Sequence, residues 1–313
     1  MELYLKNDGR EQMYIPPSFR EKMTRAFKEE GARWIDTLEE RVNGYLAKWN
    51  LTPLGPVSNL SYHYVLNVLD ENGVPTILKV ALSSHDLENE MRALQLYDGN
   101  GCCKLLKADV ENGVILLEKL APGTMLAELG DEEQALEQFM NVWKAIRREV
   151  PKESLFPMIH QWASQLSRCR KMQEYQTGQF SEEILQLAEN FFGEINDTTD
   201  GLQLLHGDLH HENILFAEER GWMAIDPKGV IGDPYFDVVS FLMNHLQEKK
   251  DPKRVLWKRV EVLSRGLSLE RKRLLKAGLA MTALSAFWSM EEGDQSWKQT
   301  YQYTWWFHEW LRK

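Results

Sequence analysis

Residues 204–216 read LLHGDLHHENILF, with His206, Asp208, His210, His211, Glu212 and Asn213 crowded between Leu204-Leu205 and Ile214-Leu215-Phe216. A solvated polar turn needs no apolar frame, whereas this cluster is held beside a core by the runs on either side. The histidines raise a metal site, but neither H-E-x-x-H nor a Cys/His quartet is present. A plain turn and a catalytic loop remain, and the rest of the chain has to separate them.

The chain has 313 residues, above the usual size of a single domain, so two lobes with separate cores are expected. Its 37 basic and 47 acidic residues leave a net charge of −10, which disfavours nucleic acid or an anionic membrane as partner and suits cationic small molecules. Cys102, Cys103 and Cys169 have no disulfide-framework or metal-ligand spacing, and the N-terminus has no secretory pattern, so a cytoplasmic protein is expected. No apolar run approaches a membrane span.

Hydrophobic spacing predicts helix over 18–50, on Phe19, Met23, Phe27, Trp34, Leu38, Val42, Leu46 and Trp49, broken at Gly31. The Pro53, Gly55 and Pro56 cluster should end it. Alternating strands follow at 61–69 and 75–82 around an Asp70-Glu71-Asn72-Gly73 turn. The Ser83-Ser84-His85-Asp86 start then opens a helix over 84–98, and 104–120 reads as a second hairpin. Residues 51–120 are thus a small antiparallel sheet with one helix. Beyond them helices are expected at 131–149, 155–174, 181–195, 235–248, 255–263, 269–292 and 295–312, interrupted by strands in "NILF" and "GWMAID". The division expected is 1–50 as a helical extension, 51–120 as an N-lobe and 121–313 as a helical C-lobe.

Against this frame the opening stretch acquires partners. Phosphoryl transfer needs a carboxylate at the acceptor hydroxyl, oxygen ligands for magnesium and a cation on the donor phosphates. Asp208 precedes Asn213 by five residues, the spacing of the kinase H-R-D-x-x-x-x-N loop. Asp226 ends the run "WMAID", past a hairpin turned at Glu218 to Gly221. Upstream, Lys79 lies in "TILKV" on a strand, and Glu90, with Glu88 as alternative, lies on the next helix. Asp208 is the candidate base, Asn213 and Asp226 the candidate Mg²⁺ ligands, Lys79 the phosphate cation and Glu90 its counter-ion. His206 is expected to shape the loop; His210 either contacts Mg²⁺-linked groups or packs.

"HGDLHHEN", "AIDPKG" and "GDPYFDVVSFL" resemble the aminoglycoside phosphotransferases, a branch of the protein-kinase-like fold, and "IDPKGVIGDPYFDV" with "YLAKWNLTPLGPVS" is similar to the streptomycin phosphotransferase and hydroxyurea kinase group. The resemblance covers about residues 40–290. It implies an α+β, protein-kinase-like two-lobed fold, with a small antiparallel-sheet N-lobe and a mainly helical C-lobe. It implies an enzyme moving the γ-phosphoryl of ATP or GTP, with Mg²⁺, to a hydroxyl of a streptomycin-like aminoglycoside or to hydroxyurea. A choline, homoserine or sugar-amine kinase is the alternative acceptor class, and a nucleotide-binding pseudokinase the alternative outside catalysis. An E-x-x-A-L pattern of the family matches Glu90 to Leu94 and favours Glu90 over Glu88. Asp237 follows Pro234 at a helix start that Asp233 could cap, and the resemblance implies that Asp237 ties down the loop at His206 to Asp208. It also implies that adenine lies between the lobes, read by backbone of Glu118 and Leu120. The kinase G-x-G-x-x-G is absent, and Ser58, Asn59 and Ser61 are expected to form the phosphate-covering turn. Glu291, Glu292 and Asp294 form an acidic knot that could attract a polycationic acceptor, or a solvated turn. The aromatic "YQYTWWFHEWLRK" has the spacing of a buried helix, and the adjacent cysteines read as loop packing. A monomer or dimer is expected.

Overall fold

A computed structural model describes residues 4–7, 10–82, 84–150 and 153–313, so the Ser83 start lies outside the described residues. The chain divides into two compact units, Met1–Ala121 and Pro122–Lys313.

The first unit begins with a hairpin, β1 (Tyr4–Asn7) and β2 (Arg10–Met13), and helix α1 (Pro17–Lys48). Strands β3 (Thr52–Pro56), β4 (His63–Leu69) and β5 (Pro75–Ala81), helix α2 (Ser84–Tyr97), β6 (Leu105–Asp109) and β7 (Val114–Glu118) follow. Five of the strands form one antiparallel sheet in the order β3-β4-β5-β7-β6. Strand β4 alternates half-buried and buried residues along its length, the period-two signature of a sheet with one face on a core. Helix α1 shares that core: Phe19, Met23, Trp34, Leu38 and Val42 pack with Tyr64, Leu66, Leu78, Val80 and Leu116. Trp34 Nε1 donates to Ala81 O at 3.1 Å, and Asp109 accepts from both Tyr45 Oη and Lys48 Nζ at 2.7 Å, joining the middle and the C-terminal end of the helix to the sheet.

One expectation fails here, and one strand was not foreseen. The corner in α1 is at Lys28, where φ is 52° and ψ −128°, rather than at Gly31. Gly31 instead allows close packing, since a Cβ there would lie 2.4 Å from the Met23 carbonyl oxygen. The proline-rich segment after α1 is a strand, because β3 is an edge strand whose missing N–H groups break no ladder; a register shift between Pro53 and Gly55 absorbs its irregularity.

The second unit contains β8 (Pro122–Met125), α3 (Glu132–Ala145), β9 (Arg148–Glu149), three short helices, α4 (Ile159–Trp162), α5 (Leu166–Cys169) and α6 (Gln173–Gln176), and α7 (Glu182–Asp197). Then come β10 (Gln203–Leu205), β11 (Ile214–Ala217), β12 (Gly221–Ala224), β13 (Val230–Gly232), α8 (Val239–Met243), α9 (Pro252–Gly266), α10 (Arg271–Glu291) and α11 (Trp297–Leu311). Two three-stranded sheets, β13-β10-β9 and β12-β11-β8, carry the polar stretch between them. Helix α10 is buried on nearly every side, as a central helix must be. Its Gly278 gives room to Phe307 of α11, whose ring atoms would lie 2.5–2.8 Å from an added Cβ. Tyr301, Tyr303 and Phe307 of α11 are buried, while Trp305 is exposed.

The helix expected at 155–174 is three helical turns. Ile231 N donates to Pro157 O at 2.8 Å and Met158 bridges to Ile231, which holds this stretch extended until Ile159. The helix expected over 235–248 shrinks to a 3-10 turn at Phe236–Val238 and the five residues of α8. The buried Arg259 takes the carbonyls of Phe241, Leu242 and Asn244, acceptors that a continuing helix would need. Likewise the helix expected at 131–149 stops at Ala145, and Arg148–Glu149 joins a sheet.

Candidate active site

In the first unit, Lys79 projects from the central strand β5 and Glu90 from α2. Lys79 Nζ lies 2.8 Å from both carboxylate oxygens of Glu90, and the two residues are 2% and 4% exposed. Breaking one side of such a pair would strand a charge away from water. Glu88, the alternative, pairs with Arg92 one turn along the same helix. Ser58, Asn59 and Ser61 lie on the exposed connection between β3 and β4. Glu118 closes β7: its N–H donates to Lys104 O at 3.0 Å, and its carboxylate accepts from Lys104 N at 2.5 Å. Leu120 is buried.

In the second unit the chain leaves β10 at His206 and makes a sharp loop before β11. Gly207 has φ 82°, and a Cβ there would meet Lys228 Cβ at 3.1 Å. Asp237 closes the loop from the far side of the sequence: its carboxylate accepts from His206 N at 2.9 Å and Gly207 N at 2.6 Å. Burial pushes the Asp237 carboxyl up to about 6, against the pull of those two N–H groups. His206 has no solvent exposure. A carbonyl can only accept, so His206 Nε2 donates to Ile225 O at 2.8 Å, which leaves Nδ1 to accept from Asp208 N at 3.2 Å. Burial lowers its pKa to about 4, so the ring is a neutral spacer between loop and hairpin. Asp233 accepts from Tyr235 N at 3.0 Å and pairs with Arg273 at 2.6 Å.

The functional end of the loop is held next. Asn213 Nδ2 donates to the Asp208 carbonyl at 2.9 Å and lies 3.1 Å from His210 Nε2. Because the backbone oxygen only accepts, the side-chain atom facing it is the amide nitrogen, and Oδ1 points the other way. Ile214 pairs with Ala224 at the open end of the β11–β12 hairpin, and Ile225 N donates to Asn213 O at 2.9 Å. Asp226 therefore follows directly beyond the residue facing Asn213. It lies two residues past the end of β12 rather than on it, with φ 58°, a left-handed conformation that turns the chain towards Pro227. Lys228 Nζ is 4.0 Å from an Asp208 oxygen. Asp208, Asn213 and Asp226 are thus brought to one end of one hairpin.

The acidic knot has partners inside the fold. Glu291 pairs with Arg168 at 2.7 Å, and Asp294 accepts from Ser296 N and Oγ at 2.9 and 2.8 Å, at the start of α11. Glu292 caps α10. Residues to which the sequence assigned no role stand beside the loop: Lys228, and Glu212 with His245, whose Nε2 is 2.6 Å from a Glu212 oxygen. Lys228 sits within the "AIDPKG" run, but nothing near His245 in the sequence marks it. Among the described residues no helix is long and apolar enough to cross a membrane.

Comparison with known proteins places the chain in a family. Residues 48–293 match the family described as aminoglycoside/hydroxyurea antibiotic resistance kinase. The chain is 27% identical over 295 residues to streptomycin 6-kinase of Streptomyces griseus, covering 90% of this chain and 93% of that protein. It is 28% identical over 282 residues to hydroxyurea phosphotransferase of Kitasatospora aureofaciens, covering 90% and 81%. Among solved structures, choline kinase LicA from Streptococcus pneumoniae has a TM-score of 0.63 at 14% identity, over 87% of this chain and 99% of that one. A thermostable mutant of aminoglycoside phosphotransferase APH(4)-Ia, in a ternary complex with ADP and hygromycin B, has a TM-score of 0.61 at 12% identity, over 86% and 97%. At those identities the structures establish the fold, an antiparallel N-terminal sheet followed by a helical part. The family match spans most of the sequence, and the chain belongs to the aminoglycoside/hydroxyurea antibiotic resistance kinases, phosphotransferases that use an alcohol group as acceptor.

Proposed function

We propose that this protein transfers the γ-phosphoryl group of ATP to a hydroxyl of a streptomycin-like aminoglycoside. The observation that carries this reading is the convergence of Asp208, Asn213 and Asp226 on one hairpin end, in a loop whose backbone is fixed by Asp237. The acceptor oxygen would bond to the γ-phosphorus as the bond to the β,γ-bridging oxygen breaks. The hydroxyl proton passes to the Asp208 carboxylate, and ADP leaves. Lys79, held straight by Glu90, would neutralise donor phosphate oxygens. Lys228, close to Asp208, adds positive charge where phosphate charge accumulates.

The residues also suit magnesium. Asn213 offers an amide oxygen, because its nitrogen is committed to the Asp208 carbonyl and His210, and Asp226 offers a carboxylate. Both are hard oxygen donors, and among the described residues no set of three or more His, Cys, Asp or Glu could hold a metal alone. That is the donor set of an ion whose coordination is completed by phosphate oxygens and water. Bound there, Mg²⁺ would offset the charge of the triphosphate.

Streptomycin is favoured as acceptor by the relative matched over nine-tenths of this chain. Hydroxyurea is the second reading, on a relative of equal coverage. Choline rests on likeness of fold alone, and homoserine only on catalytic motifs that serve many acceptors. An ADP-release assay over streptomycin, hydroxyurea, choline and homoserine, with ATP and with GTP, tests the choice. The highest kcat/KM is expected for streptomycin with ATP; turnover that ignores streptomycin and rises with choline overturns it.

A further inference from the structure

Resting on the reading of Asn213 as a metal ligand, we propose that Glu212 and His245 are positioning residues that, acting through His210, set the Asn213 amide for the cation. A continuous chain of contacts carries this. Asn213 Nδ2 has two hydrogens: one meets the Asp208 carbonyl and the other points to His210 Nε2 at 3.1 Å. His210 Nε2 therefore accepts. Its Nδ1 carries the proton and donates to Glu212 Oε2 at 2.8 Å, since an ionised carboxylate has no hydrogen to give. The 3.3 Å approach of Glu212 N to the same Nδ1 is then a packing contact rather than a second bond. The other Glu212 oxygen lies 2.6 Å from His245 Nε2, a close contact without hydrogen-bond geometry. Glu248 holds the remaining nitrogen, Nδ1, at 2.9 Å. His210 is thus held at both nitrogens, His245 is held at Nδ1, and Glu212 lies against both rings.

The far end of this chain is anchored. His245 has φ 57°, a conformation that a histidine keeps only where its surroundings impose it. Arg259, fully buried, imposes it by donating from Nη1 to the carbonyls of Phe241, Leu242 and Asn244, while its Nε donates to Glu132 at 2.5 Å. The neighbouring His211 ring stacks on Phe241 at 4.1 Å and 9°, docking the 208–213 loop on the same turn. A loop that needed only a fold would be served by that stack. The polar path from His245 to Asn213 adds control over which face of one amide is presented, as outer groups do around metal ligands.

The test titrates Mg²⁺ into the full chain with a non-hydrolysable ATP analogue by calorimetry, alongside Mg²⁺-dependent turnover and thermal unfolding. The variants are Glu212→Gln, His245→Ala, His245→Gln and Asn213→Ala. Glu212→Gln and His245→Ala are expected to weaken Mg²⁺ binding by about 10–100-fold, with acceptor KM and melting temperature close to wild type. His245→Gln, which keeps a polar group facing Glu212, should recover part of the loss. If Asn213→Ala loses Mg²⁺ affinity while the Glu212 and His245 variants bind it as wild type does, the positioning role is wrong and the metal reading stands. If Asn213→Ala also binds Mg²⁺ as wild type does, both fall together.

Discussion

The two units hold their candidate phosphate chemistry by opposite means. In the first, Lys79 and Glu90 meet directly, buried on a central strand and the helix beside it, eleven residues apart in sequence. In the second, the loop around Asp208 is half-exposed and takes its shape from neutral rings, backbone amides and one remote carboxylate, with Asp237 thirty-one residues beyond His206. A direct buried pair concentrates its energetic risk in one contact. A network spreads the risk, and leaves the carboxylate of the proposed base, Asp208, half-exposed. Loss of function and loss of fold should therefore separate differently in the two units.

The largest effect should come from Asp208→Asn. The turnover number is expected to fall by about 10²–10⁴-fold, with ATP-analogue binding and melting temperature retained; calorimetry beside a turnover assay checks this, and retained turnover would sink the assigned base. Next, Glu90→Ala should cost the first unit about 3–5 kcal/mol by leaving the Lys79 ammonium buried and alone, whereas Lys79→Met with Glu90→Leu should fold nearly as well as wild type yet lose activity. Urea unfolding measures both, and equal losses in the single and double variants would show that the pair is not held as a unit. Asp237→Asn should cost about 1–3 kcal/mol, because the amide places an NH₂ against a backbone N–H that needs an acceptor.

The smallest effect is in pH. His206 is depressed from 6.5 to about 4, so the unfolded chain takes its proton first, and the stability it contributes above pH 6.5 is lost as pH falls towards 4. Asp237 is raised from 3.8 to about 6, so the folded chain takes that proton first, and stability rises as pH falls from about 6 towards 3.8. The two groups oppose each other, but His211, lowered from 6.5 to about 3 by burial, adds to the acid loss, so the wild-type melting temperature should fall between pH 6 and 4. Asp237→Asn removes the compensation and should steepen the acid loss; a parallel slope in the variant would contradict it.

Much of the first unit was legible in the sequence because its contacts are local. An Asn-Gly turn, a period-two strand and a helix stripe are each set by neighbouring residues, and the hairpin at 63–81 and helix α2 follow from them. The second unit was harder to read where distant groups override local preference. The run after Pro234 has helical spacing, yet Arg259 claims its carbonyls and stops α8 after five residues. The proline-bearing strand β3 was illegible for a related reason, since only its place at the edge of a sheet makes prolines tolerable.

The same division runs through the site. Sequence by itself determined which chemical groups are available and in what order, because residue type, the five-residue step from Asp208 to Asn213 and the apolar frame around them are properties of the chain. The tertiary structure alone decided which atom of Asn213 faces outward, and that His245 reaches Glu212. Those outcomes depend on the directions of hydrogen bonds between segments far apart in sequence, and directionality exists only once the backbone has been placed.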